Sequence, residues 1–234
     1  MSLNVKSAII LAAGFGKRMR HLTHEVPKPL INFKGKPLIQ YSIDFLESLN
    51  VQEIVINVHY KSDQIKEFVR SLNNSKIKIS DESSEILDTG GGVKKAMGLI
   101  NGTNSIVINS DVLWNEEQAS SLKEMDSMFV QNSCDSLLCL SPLKNTKGYK
   151  GEGDFVFLNN NKIRRYQNND QSPFVYCGAQ IISIDSFIDF EEDIFSINKI
   201  WNRSISNDRL MGFKNNNNVF HIGSVETLDR FNEK

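Results

Sequence analysis

Long apolar runs are missing from this sequence. The longest wholly apolar stretch is residues 8–13, far short of the roughly 20 residues a membrane-spanning helix needs. No basic segment followed by an apolar one opens the chain, so export through a signal peptide is not expected. Cysteine is scarce. The three present, Cys134, Cys139 and Cys177, form no CxxC pair and leave an odd one out, which points to reduced, buried thiols in a cytoplasmic protein. Charge of one sign is not in excess either. The 27 basic and 28 acidic residues leave a net charge of −1, which argues against a nucleic-acid binder working by electrostatic attraction. Hydrophobic residues at 40% and charged residues at 24% exclude a disordered or collagen-like chain. A length of 234 residues suits one large domain or two small ones.

What is present alternates. Residues 8–12 form an apolar run ending in a glycine loop, as expected of a strand buried on both faces. Leu38, Ser42, Phe45 and Leu49 then repeat at helical spacing, with Pro37 at the helix start. Residues 53–58 read as a second strand, Ile65, Phe68, Val69 and Leu72 as a helix face, and residues 76–80 as a short strand. A helix over 92–100, a strand over 105–109 and a helical stripe through Ala119, Leu122, Met125 and Phe129 follow. Strands separated by helices of this length imply βαβ crossovers and a mostly parallel sheet. After about residue 136 short β-like runs at 136–140, 154–158, 163–166 and 175–182 predict further strands, antiparallel or mixed, on the same sheet. No linker interrupts the chain and no internal repeat is seen, so a single domain over 1–234 is expected.

Chemistry concentrates near the first strand. Leu11-Ala12-Ala13-Gly14-Phe15-Gly16-Lys17-Arg18-Met19 places glycines where backbone can approach a ligand and N–H groups can cradle phosphate. A dinucleotide fingerprint would need glycine where Met19 stands, and the Walker A pattern GxxxxGK[ST] is absent. Taken alone, the GxG is equally a plain tight turn. The cations Lys17 and Arg18, followed by Pro27-Lys28-Pro29, sharpen it, because flanking prolines fix the backbone around Lys28 and aim a cation. Asp111 ends an apolar strand at the edge where open α/β sheets bind ligands, and a carboxylate there could hold Mg²⁺ or cap the following helix. His59 at a strand end reads as a packed residue, and Cys177 has no evident partner base.

These segments, with Leu22-Thr23, Pro27-Lys28-Pro29-Leu30 and Gly35-Lys36-Pro37-Leu38-Ile39, resemble the N-terminal signature of sugar-1-phosphate nucleotidylyltransferases. The resemblance extends through Asn57-Val58-His59-Tyr60, through Glu82, Glu85, Leu87 and Thr89-Gly90-Gly91-Gly92, and through Asn109-Ser110-Asp111 to residues 220–226. Among such enzymes the short N-acetylmuramate-1-phosphate uridylyltransferases and mannose-1-phosphate guanylyltransferases look most similar. The resemblance implies a Rossmann-like α/β nucleotidyltransferase with a mostly parallel mixed sheet flanked by helices. Residues 1–135 would form its nucleotide-binding part and 136–234 its sugar-phosphate-binding part.

It further implies that an NTP and a sugar 1-phosphate react to give an NDP-sugar and pyrophosphate, with no nucleic acid or membrane as partner. Arg18 and Lys28 would be catalytic, holding the leaving pyrophosphate and the reacting phosphates. Leu11, Ala12, Ala13, Gly14, Gly16, Thr89, Gly90 and Gly91 would embrace the nucleoside. Gly153, Asn168 and Gly178 would contact the sugar, and Asp111 would carry Mg²⁺. His221 departs from the pattern by standing where relatives have the second metal-binding aspartate. It would favour Mn²⁺ or Co²⁺ if it ligates; alternatively Asp208, Glu226 or Asp229 supplies the carboxylate. The departure keeps open a binding protein without turnover, and a cytidylyltransferase acting on phosphocholine or a similar alcohol phosphate is a further alternative. Nucleobase, sugar and oligomeric state do not follow from the residues.

Overall fold

Ile9 and Ile10 are both inaccessible to solvent, and the first strand accordingly runs through the middle of a sheet rather than along an edge. A computed structural model describes residues 2–232, apart from the side chain of Arg20. The chain builds β1 (Ser7–Leu11), α1 (Leu38–Ser48), β2 (Glu53–Val58), α2 (Ser62–Ser71), β3 (Ile77–Asp81), α3 (Asp88–Met97), β4 (Asn104–Asn109) and α4 (Glu116–Gln131) in turn. β1 pairs in parallel with β2 (Ala8 opposite Ile54) and with β4 (Ala8 opposite Ile106), and β3 adds in parallel beyond β2. Parallel neighbours need crossover helices, and α1, α2 and α3 provide them. Among the described residues no helix is long and apolar enough to cross a membrane.

The second half adds β5 (Ser136–Pro142), β6 (Phe155–Phe157), β7 (Ile163–Arg165), β8 (Phe174–Ser183), α5 (Asn198–Ser206), β9 (Leu210–Lys214) and α6 (Val225–Asn232). β8 joins the halves: it runs antiparallel to β4 over residues 179–183 and antiparallel to β5 on its other side. The resulting order is β7-β6-β8-β4-β1-β2-β3, with β5 and then β9 branching from β8. A register shift between Tyr176 and Gln180 interrupts the β5–β8 ladder. Gly178 supplies the required backbone there at φ 77°, and a Cβ on it would stand 2.9 Å from Val112 Cγ2.

Alternation along the strands assigns the helices to faces. Ala8 and Ile10 pack with apolar residues of α1, α2 and α4, whereas Ile9 packs with Val93 of α3 and Ile200 and Trp201 of α5. A third, smaller cluster joins Met19, Ile31, Phe33 and Leu38 to Ile222 and to Leu228 and Phe231 of α6. Through it the segment after β1 is braced by residues about two hundred positions later in the chain. The fold is thus the expected helix-flanked, mostly parallel mixed sheet.

Several boundaries differ from the expectations. α3 begins at Asp88 rather than at residue 92, so Thr89-Gly90-Gly91-Gly92 is its first turn and not a preceding loop. The glycines serve close packing. A Cβ on Gly90 would lie 2.3 Å from the Phe195 ring, and one on Gly91 1.9 Å from the Asp193 carbonyl oxygen. α5, β9 and α6 are additional to the expected elements. α5 is polar apart from Ile200, Trp201 and Ile205, of which only the first two are fully buried.

Candidate active site

The C-terminal ends of β1, β2 and β4 open onto one cavity of about 350 Å³. A hydrogen-bond chain fixes its floor. The Ala12 N–H donates to Asn57 Oδ1 at 2.7 Å, and Asn57 Nδ2 donates to Glu82 Oε1 at 2.8 Å. Glu82 is buried, and that burial raises its carboxyl above the ordinary range against the opposing hydrogen bonds from Asn57 and Leu87. His59 hydrogen-bonds through Nδ1 to the Glu82 carbonyl at 2.7 Å, the packed role expected of it.

Above this floor the glycine loop turns at Gly16, whose φ is 63° and where a Cβ would come within 2.8 Å of Lys28 Cβ. The loop and Lys28 are therefore in direct contact. Pro27 is extended and Lys28–Leu30 forms a single 3₁₀ turn with Pro29 buried. This places Lys28 Nζ 2.5 Å from Asp111 Oδ2, with the two side chains 12% and 24% exposed. Burial alone would raise the Asp111 carboxyl. The Lys28 ammonium, with His221 and Arg18 further off, outweighs it and holds the group below its usual range. Arg18 lies on the 3₁₀ segment Lys17–Thr23, and its guanidinium passes Gly223, where a Cβ would be 3.4 Å from Nη1. Among the described residues it has no acidic partner.

Leu11, Ala12, Ala13, Gly14, Gly16, Arg18, Lys28, Thr89 and Asp111 all line this first cavity. Gly90 and Gly91 line neither this cavity nor the next, and both of their N–H groups donate to the Phe195 carbonyl. Gly153, at φ 131°, packs against Pro173 in the turn before β6, Asn168 is exposed in the loop after β7, and Gly178 abuts Asn109 and Val112. None of these three lines a cavity here. Asp208 pairs with Lys162 and Glu226 with Lys150; neither they nor Asp229 reach the site.

His221 stands behind Asp111. Its strand, Val219–His221, pairs it with Val112, and the next residue, Ile222, donates its N–H to the Asp111 carbonyl at 2.8 Å. Its Nε2 is buried and has no hydrogen-bond partner. Burial pushes the imidazole below its ordinary value, partly offset by the Asp111 carboxylate. No group of three His, Cys, Asp or Glu side chains suited to a metal ion occurs among the described residues.

A second cavity of about 340 Å³ adjoins the first and shares Leu11, Asp88, Thr89 and Asn109 with it. Its far wall is Asp154, Phe155, Arg165, Tyr176, Gln180 and Trp201, none of which the sequence singled out. They come from four separate elements and the turn before β6, so no spacing pattern announces them.

The pattern that defines the nucleotidyl transferase family matches residues 7–149. The N-acetylmuramate α-1-phosphate uridylyltransferase of Caulobacter vibrioides is 32% identical over 97% of this chain and 95% of its own length. The enzyme of the same name from Neisseria meningitidis is 29% identical over 93% of each chain. Among solved structures, HddC from Yersinia pseudotuberculosis complexed with GMP-PN superposes with a TM-score of 0.74 at 25% identity, covering 98% of this chain and 99% of its own. The inositol-1-phosphate CTP transferase of T. maritima, 20% identical with a TM-score of 0.76 over 100% and 98% of the two chains, shares the fold. The family pattern covers more than half of the chain, and Gly14, Gly16, Arg18, Lys28 and Asp111, which line the first cavity, lie within it: the chain belongs to the nucleotidyl transferase family of enzymes.

Proposed function

We propose that the protein transfers a nucleotidyl group from an NTP to a sugar 1-phosphate, releasing pyrophosphate and forming an NDP-sugar. The observation that carries this reading is the convergence of two cations, Arg18 and Lys28, and one carboxylate, Asp111, on a cavity that adjoins a second one. Full-length similarity to two uridylyltransferases supports UTP and N-acetylmuramate α-1-phosphate as the first substrates to try.

In this reading a sugar-phosphate oxygen attacks the α-phosphorus in line and pyrophosphate leaves from the opposite side. Catalysis is then mostly positioning and charge neutralisation. Arg18, without an acidic partner among the described residues and passing close to Gly223, holds the β- and γ-phosphates as their charge grows. Lys28, rigid between two prolines, turns its ammonium from Asp111 toward the phosphates brought together by the reaction. The backbone of residues 11–14 and the side of Thr89 enclose the nucleoside.

A divalent cation fits the residues present. Asp111 offers carboxylate oxygens, and Nε2 of His221 is a buried ring nitrogen with no hydrogen-bond partner among the described residues, which in the tautomer protonated at Nδ1 offers its lone pair to a metal. Asp111 and His221 would hold the ion, with phosphate oxygens and water completing its shell. When bound it would supply charge neutralisation at the triphosphate.

Incubation with each of the four NTPs and a set of sugar 1-phosphates, with pyrophosphate and NDP-sugar followed together, tests the proposal. Product from a sugar 1-phosphate supports it. Binding of nucleotide without turnover, or turnover only with an alcohol phosphate such as phosphocholine, replaces it by a binding protein or a cytidylyltransferase.

A further inference from the structure

Two adjacent arginines on β7 are treated differently. Arg164 is neutralised by Asp170 through two parallel bonds of 2.7 and 2.6 Å. Arg165 lines the second cavity and makes no ion pair among the described residues. Its Nε donates to Asn202 Oδ1 at 3.1 Å, and its Nη2 to Asn198 Oδ1 at 2.8 Å and Asn202 Oδ1 at 3.0 Å. Nη1 makes no hydrogen bond among the described residues. The guanidinium lies over the ring of Phe155, 4.6 Å from its centre, and over that of Trp201 at 5.4 Å.

Asparagine oxygens and aromatic rings fix the fork in place without discharging it. Asp154 lines the same cavity but accepts from the Tyr149 hydroxyl at 2.9 Å and from the Tyr176 N–H at 2.8 Å, and makes no ion pair with Arg165. Half-burial works against the Arg165 charge, with Asp154 offsetting part of the effect. A preoriented guanidinium whose Nε and Nη2 are held by asparagines and whose Nη1 N–H groups are left over is suited to an anionic oxygen that arrives at Nη1.

Resting on the sugar-phosphate reading above, we propose that Arg165 is a specificity-determining residue that binds a carboxylate on the sugar, so that the preferred sugar 1-phosphate is an acidic one. The phosphate of such a substrate occupies the first cavity beside Lys28, and its carboxylate reaches the far wall of the second. A neutral sugar displaces water from Nη1 of Arg165 and leaves that nitrogen without a partner, which is the costly outcome that yields discrimination.

The test compares N-acetylmuramate 1-phosphate with N-acetylglucosamine 1-phosphate, which lacks the carboxylate-bearing ether, using whichever NTP gives most turnover. The wild type should favour the acidic sugar by at least about tenfold in kcat/KM. Arg165→Met should collapse that ratio through KM for the acidic sugar. Asn198→Asp, at an exposed position on the first turn of α5, keeps the arginine but neutralises it, and should lower the ratio in a fully folded protein. Equal use of the two sugars by the wild type overturns the proposal. So does a ratio unchanged in Asn198→Asp and in folded Arg165→Met, since a merely structural latch would move the melting temperature and not the ratio. Absence of turnover with every sugar 1-phosphate overturns the reading beneath it instead.

Discussion

Lys28 and Asp111 form a half-buried ion pair, Nζ to Oδ2 2.5 Å, between a proline-flanked turn and the second residue past the end of β4. The pair holds together two segments that both face the first cavity. Lys28→Ala should lower turnover by about 10²-fold or more while leaving the fold intact, because it removes a cation from the transition state. It should also let the Asp111 carboxyl rise. Asp111 has a lowered folded-state value, so its ionisation stabilises the protein above the ordinary carboxylate range, and that contribution disappears on acidification through the lowered value. The variant should lose this part of the acid dependence. Initial rates and thermal melts from pH 3 to pH 7 check both outcomes.

Gly91→Val is expected to act on stability and not on nucleotide affinity. Its Cβ would be driven into the Asp193 carbonyl at 1.9 Å, and overpacking of this kind costs about 1–3 kcal/mol or more. The melting temperature should fall by several degrees, while calorimetric nucleotide affinity of the folded fraction stays near the wild-type value. An unchanged melting temperature with lost affinity would mean that the glycine faces a ligand after all.

His221→Asp exchanges an imidazole for the oxygen donor that magnesium prefers. If the two side chains ligate as proposed, the wild type should work better with Mn²⁺ or Co²⁺ than with Mg²⁺, and the variant should reverse that order. Initial rates across the three metals decide it. Equal metal preference in both proteins, with good Mg²⁺ activity in each, would remove His221 from the metal site.

Glu82→Gln should make the protein more stable at neutral pH. Burial raises the Glu82 carboxyl in the folded state, so the group favours folding below its unfolded value and opposes it once pH climbs through the raised one. Glutamine keeps an oxygen for Asn57 Nδ2 without the charge. The difference in melting temperature between variant and wild type should be largest near pH 8 and fade toward pH 4.

The parts of the fold that were readable are those where burial on both sides leaves a continuous apolar run. Residues 53–58 coincide with β2 end to end, and Ile9 and Val55 sit at full burial on one face while Ile10 and Ile56 do so on the other. α3 was displaced because glycine reads as a loop residue. Here it is chosen for a close approach to Phe195 and Asp193 that only the folded chain reveals. α5 carries little sequence signal because only Ile200, Trp201 and Ser204 of its residues are buried.

The site divides in the same way. Residues gathered in short motifs, such as Gly14, Gly16, Arg18 and Pro27-Lys28-Pro29, surround the first cavity and could be found by spacing. The second cavity draws single residues, Asp154, Arg165, Tyr176 and Trp201, from four separate places in the chain. Only the pairing of β8 with β4 and β6, and the packing of α5 against them, brings these residues together.

The apolar cluster of Met19, Ile31, Phe33 and Leu38 with Ile222, Leu228 and Phe231 has a consequence for the order in which the protein matures. The loop that carries Arg18 is synthesised well before its brace, which is encoded some two hundred residues later. Contacts of such long range form late, because closing the intervening chain costs entropy before any contact repays it. A nascent chain ending short of Val225 would therefore carry the walls of the first cavity without a rigid Arg18, and competence arrives only with α6.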